Sequence, residues 1–269
     1  MSLEQQNMSG VPKVKICGIT TTKEADWLNA AGVDYAGFVF YEKSKRNISI
    51  MDAIMIKKSL YPSVKTVAVT VSPTVGQLRA IEIAGFDILQ VHKELSLEVL
   101  RECRLPIWRA FNIGAFSDVS GTDRPVAAGA GQTDTADQTG SQTESRMDGA
   151  DQTGGQTQSQ PQSAGSEAEQ TERQKLEDEK IEAYVLDGAA FGSGKTFDWN
   201  SGSVAQIKAL FGDKKLVLAG GLNLSNVAEG IGIFRPDIVD VSSGVEKESG
   251  SGKDEEKIKK FIKEVRKNG

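Results

Sequence analysis

The sequence lacks the features that mark several common classes of protein. It contains only two cysteines, Cys17 and Cys103, in 269 residues, and two cysteines do not make a disulfide framework. It has no run of about 18 apolar residues that could cross a bilayer, and the polar residues 1–10 lack the apolar region of a secretory signal. These absences predict a soluble cytoplasmic protein with two reduced thiols and no membrane contact.

The net charge of −5 is distributed unevenly along the chain. Residues 117–170 hold nine acidic and two basic residues, a net charge of −7, so the remainder carries about +2. Such a mild charge, without a dense stripe of Lys and Arg, argues against a general nucleic-acid binder. The basic residues of 257–267 are interleaved with Phe261, Ile262 and Val265, which indicates an ordinary amphipathic helix.

Residues 117–170 also contain no Leu, Ile, Phe, Trp or Tyr, and the dipeptide Gln-Thr recurs six times between residues 132 and 171. A segment with so little to bury cannot offset the ~1–2 kcal/mol of backbone entropy that each ordered residue loses. We therefore expect a disordered insertion over residues 117–170, in addition to a flexible N-terminal tail over residues 1–12. The charged, helix-forming stretch from Glu172 to Glu182 should be ordered again.

On both sides of this insertion the chain repeats one unit, made of a short apolar run, a polar loop and an amphipathic stretch. The apolar runs are residues 14–17, 35–40, 65–71, 88–91, 107–111, 184–186, 216–219 and 238–241. The amphipathic stretches are residues 23–31, 51–59, 75–84, 95–103, 203–211, 225–230 and 254–267. This alternation indicates a parallel sheet covered by helices. Eight such runs favour a single α/β domain, a (β/α)8 TIM barrel over residues 1–269. The insertion would follow strand 5 of this barrel. Composition alone leaves an open doubly wound sheet as the alternative fold.

Glycine-rich loops follow the last two predicted strands. Strand 7 ends in LAGGLN, with Gly220 and Gly221, and strand 8 ends in VDVSSGVE, with Ser242, Ser243 and Gly244. In this fold the loops after strands 7 and 8 usually bind phosphate through backbone N–H groups. The sequence therefore predicts a phosphate site there, although the glycines could simply make tight turns.

Other polar side chains lie at or just after the carboxyl ends of strands, where the active site of a barrel forms. Alternation along strand 4 places Gln90 and His92 on the same face. The candidates are Cys17 in KICGIT, Arg46 in FYEKSKRNIS, Gln90 and His92 in LQVH, Asp187 in VLDG and Asp240 in VDV. Each also has an ordinary structural interpretation: a buried thiol, a solvated loop charge, a structural hydrogen bond or a helix cap.

Taken in order, the motifs KICGIT, GFVFYEKSKRNIS, LQVH, VLDG with FGSGKTFDW, LAGGLN and DVSSGVE resemble those of the phosphoribosylanthranilate isomerases. The resemblance covers about residues 13–267 apart from the insertion. It implies an isomerase of tryptophan biosynthesis that converts N-(5′-phosphoribosyl)anthranilate into 1-(2-carboxyphenylamino)-1-deoxyribulose 5-phosphate by an Amadori rearrangement. It also implies that neither a metal nor an organic cofactor is needed.

The resemblance assigns roles to individual residues. Cys17 matches the general base and Asp187 the general acid, while Arg46 matches the partner of the anthranilate carboxylate. Gln90, His92 and Asp240 would contact or organise the substrate, Lys195 would belong to a mobile loop after strand 6, and Cys103 receives no role. Because a thiol near pKa 8.5 must become thiolate and a carboxyl near 3.9 must hold a proton, we expect their surroundings to bring the two values closer.

The chain departs from the family pattern after strand 4, where Lys93 and Glu94 follow His92 instead of glycine. Two other functions stay open. One is the histidine-pathway isomerase, which uses two aspartates and shows an internal repeat, and Cys17 and the lack of such a repeat argue against it. The other is an inactive phosphate-binding barrel that acts through its insertion. A homodimer and association with other enzymes of the tryptophan pathway are both compatible with the sequence.

Overall fold

The structure is a computed structural model that describes residues 10–112, 166–187, 204–250 and 252–268. The first nine residues of the predicted tail, residues 117–165 of the predicted insertion and Lys195 lie outside the described residues. The predictions made for these segments therefore remain predictions.

The described residues form a barrel of eight parallel strands, closed by pairing of the first strand with the last. The strands are β1 (Lys13–Cys17), β2 (Tyr35–Val39), β3 (Lys65–Thr70), β4 (Ile88–Val91), β5 (Ile107–Asn112), β6 (Ile181–Asp187), β7 (Lys215–Leu218) and β8 (Ile238–Val241). They alternate with helices, as the sequence predicts, and the open doubly wound sheet is therefore wrong.

The helices are α1 (Thr22–Ala31), α2 (Ile50–Lys57), α3 (Val75–Ile83), α4 (Leu97–Glu102), α5 (Glu167–Lys180), α6 (Val204–Phe211), α7 (Val227–Phe234) and α8 (Glu255–Asn268). The residues that precede the first four helices, Thr21, Ser49, Thr74 and Ser96, each accept a hydrogen bond from a backbone N–H in the first turn. Such caps satisfy donors that a helix start leaves free. They fix where each loop from the barrel mouth joins its helix.

Side chains alternate between two hydrophobic cores because successive residues of a strand point to opposite faces. The larger core lies between the strands and the helices and includes Val14, Ile16 and Phe38. The smaller core fills the barrel interior and includes Cys17, Trp108 and Val185. Residues that alternate with the larger core on each strand therefore face the interior, and the last of them reach the mouth.

Two helices, α5 and α7, differ most from the sequence predictions. Helix α5 begins at Glu167, so residues 167–170 are helical rather than part of a disordered insertion. Ser166 and Glu169 form a capping box, and this local signal outweighs the lack of large apolar residues. Helix α7 continues past Gly230 to Phe234 because Val227, Ile231 and Phe234 bury one face, which compensates for the low helix propensity of glycine.

Cys103 follows α4 and is 2% exposed. Its thiol lies 3.5 Å from the carbonyl of Leu105 and belongs to the outer core, whereas Cys17 belongs to the interior core. It is a packing residue, in agreement with its lack of a predicted role. Within the ranges that the structure describes, no helix is both long and apolar enough to span a bilayer.

Candidate active site

Cys17 is the last residue of β1 and is 9% exposed at the mouth of the barrel. Its neighbour on β2 is Gly37, where an added Cβ would lie 3.0 Å from Cys17 Sγ. The chain then turns through Gly18, whose φ of +82° favours glycine, and Gly18 N–H donates to the carbonyl of Gly37 at 2.8 Å. Glycines on both sides therefore leave room for the thiol.

Lys15, two residues before Cys17 on the same strand face, is fully buried, and its Nζ lies 2.6 Å from Asp240 Oδ2 on β8. Burial raises the pKa of the Cys17 thiol, and the positive charge of Lys15 partly opposes this effect. The net direction in the unliganded protein is upward, so the thiol is protonated near neutral pH. The expectation that the surroundings lower this pKa is wrong for the protein alone, because desolvation outweighs the cation.

Asp187 ends β6, as predicted, and is 8% exposed. Oδ2 of this carboxylate lies 3.9 Å from His92 Nδ1, beyond hydrogen-bond range. Gln90 lies two residues before His92, and its Nε2 is 2.8 Å from His92 Nε2. Since an amide nitrogen can only donate, His92 Nε2 accepts and Nδ1 carries the ring proton, on the side that faces Asp187.

Burial, together with repulsion from Lys15 and Arg109, lowers the pKa of His92 to about 3. His92 is therefore neutral at physiological pH and cannot form an ion pair with Asp187. A ring that stays neutral suits a binding role better than proton transfer at neutral pH.

Arg46 lies across the turn after β1. A Cβ on Gly18 would come within 2.5 Å of Arg46 Cδ, so the arginine stem covers this glycine next to Cys17. Arg46 Nε donates to Glu246 Oε1 at 2.5 Å. In the part of the chain that the structure describes, no residue is hydrogen-bonded to its two Nη groups, which leaves them available for a carboxylate ligand.

Glu246 is the centre of a charge cluster that holds Arg46 in this position. Lys45 lies 2.8 Å from Glu246 Oε2, and the fully buried Lys253 lies 3.1 Å from Oε1. Hydrogen bonds from Arg46 and Lys45 overcome the effect of burial and lower the pKa of Glu246 to about 2. The carboxylate is thus ionised over the whole range in which the protein is expected to work.

The two predicted phosphate loops are in direct contact. Gly220 and Gly221 both have positive φ, of 75° and 70°. An added Cβ on Gly244 would lie only 2.1 Å from the carbonyl oxygen of Leu222. Glycine at this position therefore allows the loop after β8 to pack against the loop after β7.

Residues Ser243–Val245 form a 3-10 turn directly after Ser242. Its first internal hydrogen bond is from Val245 N to Ser242 O at 3.4 Å, so the N–H groups of Ser243 and Gly244 have no acceptor within the turn. The Ser242 hydroxyl donates to the carbonyl of Cys17 at 2.9 Å and links this loop to the thiol. Backbone donors of this kind, beside glycines, are typical of an anion site.

A sequence profile of the family described as N-(5′-phosphoribosyl)anthranilate isomerase matches residues 14–127 and 156–264. The chain belongs to this family. A member from Streptococcus gordonii is 32% identical over 256 residues, which span 94% of this chain and 97% of that protein. Family membership agrees with the resemblance of the strand-end motifs.

Two solved structures of the phosphoribosylanthranilate isomerase family share the fold. One shows monomers generated from the dimeric enzyme of Thermotoga maritima, with 30% identity, a TM-score of 0.62, and coverage of 95% of this chain and 99% of that one. The other is a complex with reduced 1-(o-carboxyphenylamino)-1-deoxyribulose 5-phosphate, with 28% identity, a TM-score of 0.62 and the same two coverages. The similarity thus extends along nearly the whole of both chains.

The site also contains charged residues for which the sequence patterns predict no role, one in the barrel interior and two near the mouth. A sequence signal for Lys15 exists: it is a charged residue in the otherwise apolar run of residues 14–17, two positions before Cys17 and so on the same face. Glu246 was visible in the motif DVSSGVE, but nothing local connects it with Arg46, 200 residues earlier. Lys253 lies in a polar segment before α8, and no sequence signal predicts its burial. Among the described residues, no group of three or more His, Cys, Asp or Glu side chains could hold a metal ion.

Proposed function

We propose that this chain catalyses the Amadori rearrangement of N-(5′-phosphoribosyl)anthranilate to 1-(2-carboxyphenylamino)-1-deoxyribulose 5-phosphate in tryptophan biosynthesis. One observation carries the proposal: a thiol, a carboxyl, a guanidinium and a pair of contacting glycine loops converge on one barrel mouth. These groups correspond to the needs of a base, an acid, a benzoate ligand and a phosphate site.

In the proposed reaction, Asp187 enters protonated and donates its proton to the ring oxygen of the ribose. The C1′–O bond breaks and the aniline nitrogen forms a cationic iminium at C1′. The Cys17 thiol releases its own proton to solvent, and the thiolate then removes the proton from C2′. The electron pair of that C–H bond neutralises the iminium to give an enolamine. Protonation at C1′ and loss of the enol proton give the ketone, so the product is an isomer of the substrate.

The charge that develops during this sequence favours Cys17 as the base. The thiol is protonated in the unliganded protein because burial raises its pKa. A cationic iminium at the mouth would stabilise the thiolate just when a base is needed. The two glycine loops would hold the phosphate and so fix the sugar between acid and base.

Two buried oxygens support substrate-binding roles for Gln90 and Asp240. In the ranges that the structure covers, Gln90 Oε1 and Asp240 Oδ1 are buried side-chain oxygens without a hydrogen-bond partner. An unsatisfied buried acceptor costs about 1–3 kcal/mol, and a sugar hydroxyl is a suitable donor. His92 would add the N–H of its Nδ1 to the same group of contacts.

Genetic complementation tests this function against the histidine-pathway alternative. Expressed in a bacterial strain that lacks phosphoribosylanthranilate isomerase, the full chain should restore growth without tryptophan. In a strain that lacks the histidine-pathway isomerase, the same plasmid should not restore growth without histidine. Growth in the second strain only would assign the chain to the other pathway.

Arg46→Ala should weaken binding of the substrate by roughly 1.5–3 kcal/mol, the value of a hydrogen bond to a charged group. Titration of a product analogue by calorimetry, with and without its benzoate carboxylate, measures this loss. Lys45→Ala is the matched control, because Lys45 is 55% exposed and contacts the outer oxygen of Glu246. An equal loss for both analogues would remove Arg46 from its role as carboxylate partner.

His92 should stay neutral in the folded protein down to about pH 4, since its pKa is lowered to about 3. As the only histidine of the sequence, it gives one imidazole NMR signal in a tag-free sample, and this signal should not titrate between about pH 7.5 and pH 5. The urea-unfolded chain is the control and should titrate near the ordinary 6.5. Because the unfolded chain binds the proton first, the free energy of unfolding should fall as pH drops from about 6.5 towards 3. A folded-state midpoint near 6.5 would contradict the buried neutral ring.

Replacing residues 117–165 with a short Gly/Ser linker should leave turnover within about threefold and the melting temperature nearly unchanged. Their composition offers little to bury, and loop closure costs only about 0.6 kcal/mol per doubling of length. Ser166 is retained because it caps α5. If the shortened chain lost its activity while still folded, a barrel that acts through its insertion would become the better interpretation.

The proposal also covers location and assembly. The two cysteines are free thiols, and we expect the enzyme in the cytoplasm. The family includes a dimeric member from Thermotoga maritima, so a homodimer is the first assembly to test, by light scattering on the purified chain.

A further inference from the structure

A lysine–carboxylate pair lies in the barrel interior directly below Cys17. Lys15 is 0% exposed, and its Nζ lies 2.6 Å from Asp240 Oδ2, which is 7% exposed. The two residues are register partners on the adjacent strands β1 and β8. The interior of such a barrel is usually filled by branched apolar side chains, so a charge pair here requires an explanation.

Fold stability does not explain this pair. Removing two ions from water costs several kcal/mol each, and apolar residues of similar size often stabilise a core equally well. Buried charged groups with perturbed pKa values are enriched at functional sites. Because the pair lies next to the proposed base, its position indicates a role in the reaction.

Gly37 shows that Lys15 and Cys17 share one small space. An added Cβ on Gly37 would lie 3.0 Å from Cys17 Sγ and 3.2 Å from Lys15 Cε. The lysine stem and the thiol therefore lie together in the space beside Gly37. The positive charge of Lys15 also favours the thiolate form of Cys17 and so opposes the rise in its pKa.

Charged groups from three elements act on the thiol. The lysines favour the thiolate, while burial and the Asp240 carboxylate oppose it, and Lys15 has the largest favourable effect on the pKa of Cys17. These groups are Lys15 on β1, Asp240 on β8 and Lys253 before α8. Arg46 after β2 covers the adjacent Gly18, and the other titratable groups of the site are His92 after β4, Asp187 on β6 and Glu246 after β8. Because Asp240 holds Lys15, the pKa of the lysine is raised despite its burial, and the lysine keeps its positive charge.

We propose that Lys15 is a positioning residue for the base: its ammonium group, held by Asp240, stabilises the Cys17 thiolate that accepts the substrate proton. The proposal rests on the proposed function and deepens it. Lys15 keeps all three of its protons throughout, and the proton from C2′ moves to sulfur. The Lys15–Asp240 pair thus supplies part of the charge stabilisation that burial of the thiol removes.

Titration of the thiol in the free protein tests this proposal without substrate. In a Cys103→Ala background Cys17 is the only cysteine, and its far-ultraviolet thiolate absorbance can be followed against pH, with Cys17→Ala in the same background as the blank. Lys15→Met should raise the titration midpoint by at least about one pH unit, a tenfold change in thiolate fraction. A midpoint equal to that of the parent would overturn the proposal.

The pH profile of kcat/KM separates this role from a merely structural one. In Lys15→Met the alkaline limb should move upward by the same amount as the thiol midpoint, because the reactive form has Cys17 ionised while the carboxyl, ordinarily the stronger acid, still holds its proton. A structural defect would instead lower kcat/KM and leave both limbs in place, and that result would contradict the proposal. If the parent shows no turnover, the proposed function fails, whereas the titration still decides the role of Lys15.

Lys15→Met leaves the Asp240 carboxylate buried and unpaired, which could prevent folding. The double variant Lys15→Met/Asp240→Asn removes both charges and avoids this cost. Because Lys15 acts on the thiol more strongly than Asp240 does, the double variant should still show a raised midpoint, smaller than that of the single variant. An unchanged or lowered midpoint in the double variant would count against the proposal even if the single variant did not fold.

Discussion

Cys17→Ala should lower kcat of the purified isomerase by about 10²–10⁴-fold, the usual contribution of a general base. The change removes one small side chain at the end of β1 and leaves the network of Arg46, Glu246 and Lys253 in place. The free energy of unfolding should therefore change by no more than about 1–2 kcal/mol. Asp187→Asn should cause a loss of similar size, because an amide cannot donate a proton to the ring oxygen.

The second cysteine provides a matched control for this prediction. Cys103 is also buried but lies in the outer core after α4. Cys103→Ala should affect stability by an amount similar to that of Cys17→Ala, and it should leave kcat unchanged. If Cys17→Ala or Asp187→Asn kept more than about a tenth of the parent activity, that residue would lose its assigned role.

Gly244→Ala should raise KM by about tenfold or more and destabilise the fold by about 1–3 kcal/mol, the usual cost of overpacking. The new methyl group would lie 2.1 Å from the Leu222 carbonyl and 3.0 Å from Asn223 Cβ. The loops after β7 and β8 would have to separate, and the backbone N–H groups proposed to bind phosphate would move with them. Inhibition by inorganic phosphate should weaken in parallel with the rise in KM.

Gly232→Ala is the matched control in helix α7, where an added Cβ would meet nothing within 4 Å. It should leave KM unchanged and stabilise the protein by up to about 1 kcal/mol, because alanine favours the helix. Steady-state kinetics and urea unfolding of the two variants test both effects. A normal KM in Gly244→Ala would show that the contact between the two loops does not shape the phosphate site.

The barrel could be predicted from the sequence because its signals are local. Each strand is a short run of apolar residues such as Ile88–Val91, and each helix begins near a residue such as Thr74 or Ser96 that caps it. The predicted and observed elements differ mainly where a helix-forming composition competes with burial of a strand residue. Residues 181–183 continue a charged, helix-forming stretch, yet Ile181 begins β6 because it is buried against β5.

The site was only partly predictable. Cys17, Arg46, Asp187 and the glycine loops lie at strand ends, which the repeating unit locates. The Lys15–Asp240 pair joins residues 225 positions apart, and Arg46–Glu246 joins residues 200 apart. Such contacts depend on closure of the barrel, and no local pattern in a single sequence encodes them. The upward direction of the Cys17 pKa also depends on burial by distant elements.

The most direct test of the central claim is the loss of anthranilate fluorescence when the purified full chain is added to N-(5′-phosphoribosyl)anthranilate. The wild-type chain should convert the substrate with a kcat of about 1 per second or faster, within the usual range for enzymes. Under the same conditions the double variant Cys17→Ala/Asp187→Asn should be slower by at least about 10²-fold. An inert wild-type chain, or a double variant as fast as the wild type, would contradict the assignment of this barrel mouth as the isomerase active site.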